Sequence, residues 1–332
     1  MIRKDTSERI FREIKAAKRI LLTLHVSPDG DCIASVLAMN KILKKWGKKT
    51  KIISSSALNR RFNFISGVEE IEVQDFAKID FSNFDLFIAL DAAQETKITR
   101  SPFPEKFPKN FKTINIDHHI TNPKFGDINL IVKSSSTSEI LYRLFVLWKI
   151  KIDKQLAQLF LLGILTDTGC FQYPTMAADS FRIVADLLDK GASLSEMVLL
   201  TLRSYQFKTL KYWGKVLENM QIDPSGKFVW THVSKAEMEE LEITPAEVEG
   251  AASLFGPVTL GTEFGIIMND EGGLVRVSLR SRTDFDVSKI AVLFDGGGHK
   301  QAAAFSLALP LVEAEKKVLE TARKHVDKQI NK

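Results

Sequence analysis

The chain has 332 residues, 45% apolar and 26% charged, with a formal net charge of +5. That length exceeds one ordinary core and implies two domains, and the composition excludes a disordered or fibrous chain. The weak basic bias admits an anionic substrate but argues against wrapping duplex DNA.

Two cysteines, Cys32 and Cys170, cannot make a disulfide framework, so a reducing compartment is expected. No apolar run reaches the length of a membrane span, and "MIRKDTSERIFREIKAAKRI" lacks a secretory pattern. The expected location is the cytoplasm, with no membrane contact. Ile10, Phe11, Ile14 and Ala17 recur at helical spacing and predict an amphipathic first helix. "ILLTLHV" (Ile20–Val26) is a short apolar run, and "CIASVLAMNKILKKWG" predicts a helix stopped by Gly47. "KKTKIISSS", "DLFIALD" (Asp85–Asp91) and "FKTINID" (Phe111–Asp117) predict strands. Such runs alternating with helices predict an α/β domain: a mostly parallel sheet with helices on both faces.

"SSSTSEILYRLFVLWKI" predicts a helix in which Ser136 and Glu139 have capping-box spacing. "DKQLAQLFLLGILTD" predicts another, ending at Asp167, and "DSFRIVADLLDKGASL" a third, stopped by Gly191. Residues 1–190 form the expected first domain, 191–220 a helical linker, and 221–332 a smaller α/β domain, with a cleft between the two. In the last part "KFVWTHV" predicts a strand, and "TPAEVEGAASLF" a helix with Thr244 as N-cap and Pro245 in its first position. "GTEFGIIMNDEGGLVRVSLRSR" predicts two strands about a glycine turn. "DVSKIAVLFDGGGHKQAAAF" reads as a helix, a glycine loop and a short helical turn, and "AEKKVLETARKHVDKQI" as a closing helix.

Four apolar elements of the first domain end in acidic residues. "LLTLH" leads to Asp29 and Asp31, "DLFIAL" to Asp91, "KTINI" to Asp117 with His118 and His119, and "LFLLGILT" to Asp167. Each has a structural reading: Asp29–Gly30 after a proline is an ordinary turn signal, and Asp91 or Asp167 alone suits a helix cap. The joint pattern is more informative. Three of the six histidines, His25, His118 and His119, fall at these same ends, where ligands bind in an open parallel sheet. Four carboxylates sharing one crevice repel and take up protons unless cations neutralise them. Two divalent ions would balance Asp29, Asp31, Asp91 and Asp167, and mixed carboxylate and imidazole ligation suits Mn2+, with Co2+, Mg2+, Fe2+ or Zn2+ as substitutes. Ions about 3.5–4 Å apart clamp the attacking and leaving oxygens of a displacement at phosphorus, with a bridging hydroxide as nucleophile.

"HVSPDGDCIAS", "ALDAA", "IDHH" and "GILTDTG" resemble the four signature motifs of the DHH phosphoesterase superfamily, and "VSLRSR" and "DGGGHKQAAAF" resemble its DHH-associated C-terminal domain. The resemblance covers nearly the whole chain and is nearest the bacterial nanoRNase (oligoribonuclease) and pAp phosphatase group. It implies that His25, Asp29 and Asp91 hold one metal and that Asp31, Asp91, His118 and Asp167 hold a second. It gives His119 the phosphate and Asp117 an orienting role. Three positions depart from the pattern: Ala34 and Ala304 stand where glycine is common, and Asp295 where the glycine loop is often longer.

Arg276, Arg280 and Arg282 share a face if their segment is a strand; they suit phosphate, or are simply solvated. Gly297, Gly298, His299 and Lys300 form a loop that suits an anion, or a flexible turn. The resemblance assigns Arg280 and His299 to the substrate's terminal phosphate or nucleotide end, with Ser281 and Lys300 as weaker candidates. It implies a hydrolase with two metal ions, acting on short RNA and on adenosine 3′,5′-bisphosphate (pAp), with no obligate protein partner and the oligomeric state open. A cyclic- or linear-dinucleotide phosphodiesterase is the alternative, and a catalytically silent nucleotide-binding protein the non-enzyme rival. His232 and His325 read as surface residues, and Cys32 as a small buried thiol.

Overall fold

The computed structural model describes residues 2–104, 107–109, 111–244, 248 and 250–330. The chain divides into two compact units, Met1–Ser204 and Tyr205–Lys332.

The first unit runs α1 (Lys4–Ala16), β1 (Arg19–Leu24), α2 (Gly30–Lys45), β2 (Lys49–Ser54), β3 (Ile71–Val73), β4 (Leu86–Leu90), α3 (Glu95–Ile98), β5 (Lys112–Asp117), β6 (Ile128–Ile131), α4 (Thr137–Leu147), α5 (Lys154–Asp167), α6 (Ala178–Asp189) and α7 (Leu194–Leu202). Its strands form a six-stranded sheet in the order β3-β2-β1-β4-β5-β6 among the described residues. Every pairing is parallel, with Thr23 opposite Ala89, Ile88 opposite Ile114 and Ile116 opposite Leu130.

Why the central strands read as unbroken apolar runs is now plain: both faces are covered. Ile20, Leu22, Leu24, Ile88 and Ile114 face one core, with Ile33, Leu37 and Phe160. Leu21, Ile53, Phe87 and Ala89 face the other. That second core is a phenylalanine cluster, in which Phe76 stacks on Phe103 at 5.1 Å. The edge strands β3 and β6 were not foreseen; they are three and four residues long, too short to show a period. The sheet order reverses between β1 and β4, which makes the carboxyl ends of those two strands the expected ligand crevice.

The 191–220 stretch holds two helices with a break at 203–206. The first is α7, and the second, α8 (Phe207–Glu218), lies in the second unit. That unit continues with β7 (Gln221–Ile222), β8 (Phe228–Val233), α9 (Lys235–Glu240), α10 (Ala251–Phe255), β9 (Phe264–Asp270), β10 (Val275–Ser281), α11 (Ser288–Val292), β11 (Gly297–His299), β12 (Ala302–Leu307) and α12 (Leu311–Ile330). Its sheet, in the order β11-β12-β10-β9-β8-β7, is mixed: β8 and β9 run parallel and the other pairs antiparallel.

Two expectations change here. The segment after the glycine run is not a helical turn. Gly297–His299 and Ala302–Leu307 pair as a hairpin, with Gly298 opposite Ala303. The helix propensity of "QAAAF" yields to burial of Ala303 and Phe305 in the core of the second unit. A Cβ on Gly298 would lie 2.4 Å from Ala302 O, so only glycine permits this approach. In "TPAEVEGAASLF", the helix occupies Ala251–Phe255. Pro245 lies outside the described residues.

Candidate active site

Five segments of the first unit deliver the chemistry. Asp29 caps α2, its Oδ1 accepting the Cys32 N–H at 3.0 Å. Asp31 follows in the first turn of that helix. His25 comes directly after β1, Asp91 directly after β4, Asp117 ends β5 and Asp167 ends α5. Asp91 has φ +57°. A left-handed backbone at a non-glycine residue costs energy and persists where its surroundings hold it; here the Asp91 N–H donates to Ile116 O at 3.0 Å.

The Asp91 carboxylate stands at the centre. Its Oδ2 lies 3.7 Å from His25 Nε2, and its Oδ1 lies 3.5 Å from His118 Nε2. His25 Nε2 is 3.8 Å from Asp29 Oδ1, and His118 Nε2 is 3.3 Å from Asp167 Oδ2. Asp31, His118 and Asp167 each place a ligand atom within 4.8 Å of the others. The side chains that the resemblance splits into two sets therefore stand as two groups joined at Asp91.

Both imidazoles are set in the same way. His25 Nδ1 is 3.0 Å from Val26 O, and His118 Nδ1 is 3.4 Å from Ser134 O. A carbonyl only accepts, so each Nδ1 carries a proton and each Nε2 faces carboxylate oxygens; burial opposes a second proton on either ring, but the neighbouring acidic groups outweigh it and hold both imidazoles above their usual range. His118 Nε2 is buried and has no hydrogen-bond partner among the described residues. Each Nε2 therefore meets a proton or a cation on its carboxylate side, and the donor set fits a divalent ion in that place. The electrostatics agree. Burial, with repulsion from Asp31 and Asp29, pushes the Asp91 carboxyl up to about 7. Burial, with Asp31 and Asp91, pushes Asp167 up to about 9. Without added positive charge this pocket stores protons.

Asp31 is fully buried and sits against the start of α4. The Thr137 N–H donates to its Oδ2 at 2.7 Å, the Ser138 N–H to its Oδ1 at 2.9 Å, and Ser35 Oγ to Oδ1 at 3.3 Å. The positive end of a helix thus faces a carboxylate from another helix. Gly163 of α5 permits this packing: a Cβ there would lie 2.0 Å from Ser138 Oγ and 2.5 Å from Asp31 Oδ1.

Asp117 is likewise fully buried. It accepts from the His118 N–H at 2.9 Å and Asn122 Nδ2 at 2.6 Å, and it holds His119 Nδ1 at 2.7 Å. Burial opposes the ionised form of Asp117, but the bond and charge of His119 outweigh it and hold the carboxyl below its usual range. His119 keeps about a third of its surface. Thr137, Ser138, Ser35 and Asn122 were not singled out from the sequence. "SSSTSE" reads locally as a helix start only, although helix starts also receive carboxylates. Cys32 is buried, and its Sγ accepts the His25 N–H at 3.4 Å.

The substrate candidates lie in the second unit. Arg280 is opposite Ala302 in one pairing, and His299 is opposite Ala302 in the next. Residues opposite each other across a ladder share a face, so Arg280 and His299 flank Ala302 about 10 Å apart, two strand spacings. Arg276 shares the Arg280 face, but Arg282 falls beyond β10, correcting the three-on-a-face expectation. Arg282 Nη1 donates to Thr259 O at 3.2 Å, and Ser281 Oγ donates to Thr283 O at 2.9 Å. Lys300 Nζ pairs with Asp284 at 2.9 Å. Gly297 has open space where a Cβ would stand. His232 is half-buried and hydrogen-bonded, its Nδ1 2.7 Å from Glu315 Oε2, rather than a bare surface residue. No helix among the described residues is long and apolar enough to cross a membrane.

Comparison with known proteins places this geometry. Residues 19–164 match the model of the DHH family, N-terminal domain, and residues 232–332 match the DHHA1 domain. A bifunctional oligoribonuclease and PAP phosphatase NrnA from Thermus thermophilus is 30% identical over 314 residues, 92% of this chain and 90% of the relative. The protein of the same name from Bacillus subtilis is 24% identical, over 90% of this chain and 92% of the relative. A solved structure described as an exopolyphosphatase-related protein from Bacteroides fragilis superposes with a TM-score of 0.92 at 26% identity, covering 100% of this chain and 99% of that one.

Proposed function

The chain belongs to the DHH family of phosphoester hydrolases, and we propose that it hydrolyses short oligoribonucleotides to mononucleotides and removes the 3′-phosphate from pAp. The relatives named for those two activities support this reading. The observation that carries it is the pair of ligand groups joined at Asp91, whose two oxygens face His25 and His118 separately.

In this reading His25, Asp29 and Asp91 hold one divalent ion, and Asp31, Asp91, His118 and Asp167 hold the other, Mn2+ being the expected metal. When bound, the ions act as Lewis acids on the phosphoryl oxygens and make water acidic enough to attack at neutral pH. The protein's own groups do the rest. Asp117 fixes the Nδ1 side of His119, which leaves Nε2 to meet the phosphate and supply a proton to the leaving oxygen as the P–O bond breaks. The main-chain carbonyls of Val26 and Ser134 hold His25 and His118 in the ligand tautomer. Arg280 and His299, with Ser281, Arg282, Gly297, Gly298 and Lys300, bind the substrate's phosphates or nucleotide end. The functional division follows 1–190 for catalysis, 191–220 as linker and 221–332 for substrate. The free cysteines Cys32 and Cys170 suit the cytoplasm.

A substrate panel with Mn2+ tests the proposal: pAp, 5′-phosphorylated dinucleotides, longer RNA, cyclic di-AMP and pyrophosphate. The short RNAs and pAp should turn over fastest, Asp91→Ala should abolish all activity, and Arg280→Ala should raise KM with Mn2+ binding intact. A preference for cyclic di-AMP would replace the proposal with a dinucleotide phosphodiesterase. Equal rates on long and short RNA would remove the short-substrate assignment.

A further inference from the structure

We propose that Thr137 is the positioning residue that makes Asp91 able to serve both ligand groups at once. The inference rests on the two-ion reading above and goes beyond its ligand set.

Thr137 is fully buried at the first position of α4. A hydroxyl there would ordinarily help cap its own helix, but that task belongs to Ser136, whose Oγ accepts the Glu139 N–H at 3.0 Å. The Thr137 hydroxyl turns away and donates to Asp91 Oδ1 at 3.0 Å, across 46 residues of sequence. Its main-chain N–H meanwhile donates to Asp31 Oδ2 at 2.7 Å. One residue therefore orients a carboxylate from each of two other segments.

The terminal torsion of an aspartate is soft and roughly two-fold. The left-handed backbone of Asp91 sets where the side chain departs, but it does not set how the carboxylate turns about its own axis. The Thr137 hydroxyl supplies that second constraint. It occupies one lone pair of Oδ1, so Oδ1 keeps its remaining lone pair toward His118 while Oδ2 is held toward His25. Without the donor the carboxylate is free to rotate toward either imidazole and chelate there with both oxygens, at the expense of the other position. Thr137 touches no reacting atom; it acts through Asp91.

The test is Mn2+ titration by calorimetry in the absence of substrate, on wild type, Thr137→Val, Thr137→Ser and Asp91→Ala. Valine keeps the shape and the main-chain N–H to Asp31 but removes the hydroxyl; serine restores it. Mn2+ affinity should fall about tenfold or more in Thr137→Val, as for other residues that orient metal ligands, and Thr137→Ser should stay within about twofold of wild type. Melting in EDTA separates this from general damage, and Thr137→Ala replaces the valine variant where circular dichroism shows it unfolded. Wild-type Mn2+ affinity in the folded hydroxyl-free variant overturns the proposal, as does a serine variant that binds as poorly as valine. Where Asp91→Ala loses Mn2+ and Thr137→Val does not, only the positioning role falls. Where Asp91→Ala binds Mn2+ as wild type does, the two-ion reading falls and takes this inference with it.

Discussion

The same substitution, glycine to alanine inside a helix, should have opposite effects at two positions of this chain. On α5, a Cβ at Gly163 would lie 2.0 Å from Ser138 Oγ and 2.5 Å from Asp31 Oδ1. The Ser138 hydroxyl can rotate, but the carboxylate cannot retreat without giving up the Thr137 and Ser138 N–H bonds. Overpacking costs about 1–3 kcal/mol, and loosening one bond to a buried carboxylate about 1.5–3 kcal/mol. The better helix propensity of alanine returns about 1 kcal/mol. Gly163→Ala should therefore lose about 1.5–5 kcal/mol, a drop in Tm of roughly 3–20 °C for a unit of this size. On α8, Gly214 has no atom within 4 Å of its absent Cβ. Gly214→Ala should gain up to about 1 kcal/mol and raise the melting of its unit by a few degrees. Scanning calorimetry of both variants in EDTA, followed by Mn2+ titration, reads the contrast; only Gly163→Ala should also weaken Mn2+ binding. A Gly163→Ala protein that melts at or above wild type with unchanged affinity would show that α5 does not approach Asp31 as described.

The metal-free protein should lose stability as pH rises from about 5 to about 9. Unfolded, the two carboxyls ionise near their ordinary value of 3.8, whereas folded Asp91 and Asp167 hold their protons up to about 7 and about 9. The fold thus binds more protons than the unfolded chain throughout that window, and each proton it must release is a loss. Saturating Mn2+ should flatten the slope; Tm measured in EDTA that is level or rising across the window refutes the assignment. Asn122→Ala removes the donor to Asp117 Oδ2 at 2.6 Å and to Ala92 O at 3.0 Å. It should lower kcat about tenfold with little change in KM, because Asn122 orients the Asp117–His119 pair rather than the substrate; an unchanged kcat would reduce Asn122 to a packing residue.

Much of this was legible in the sequence because the ligands sit where periodicity breaks. β1 and β4 announce themselves as apolar runs and β5 as an alternating one, and His25, Asp91, Asp117, His118 and His119 stand at their carboxyl ends. Asp167 ends a helix instead, and shows in the sequence because "LFLLGILT" is another apolar element that closes on an acidic residue. What stayed hidden was of two kinds. Thr137, Ser138, Ser35 and Asn122 act through hydrogen bonds spanning from 4 to 107 residues of sequence, and no local pattern distinguishes such a serine from any other at a helix start. The hairpin at 297–307 was hidden for the opposite reason. Its local signal was strong but pointed to helix, and sheet pairing with Val275–Ser281 overrode it.

The left-to-right order of the ligands along the chain has a further consequence for how the protein comes into being. His25 emerges from synthesis first and Asp167 last, and the two groups share Asp91 between them. A chain halted anywhere before α5 lacks both the final ligand and Phe160, Leu161 and Ile164 of the main core. A cation held between Asp31, His118 and Asp167 then closes a loop of well over a hundred residues, the kind of closure that restrains the unfolded chain most. In the two-ion reading the ion would be a late fastener as well as a reagent. Cells short of the metal would be left with hydrolase that is not merely idle but more easily degraded.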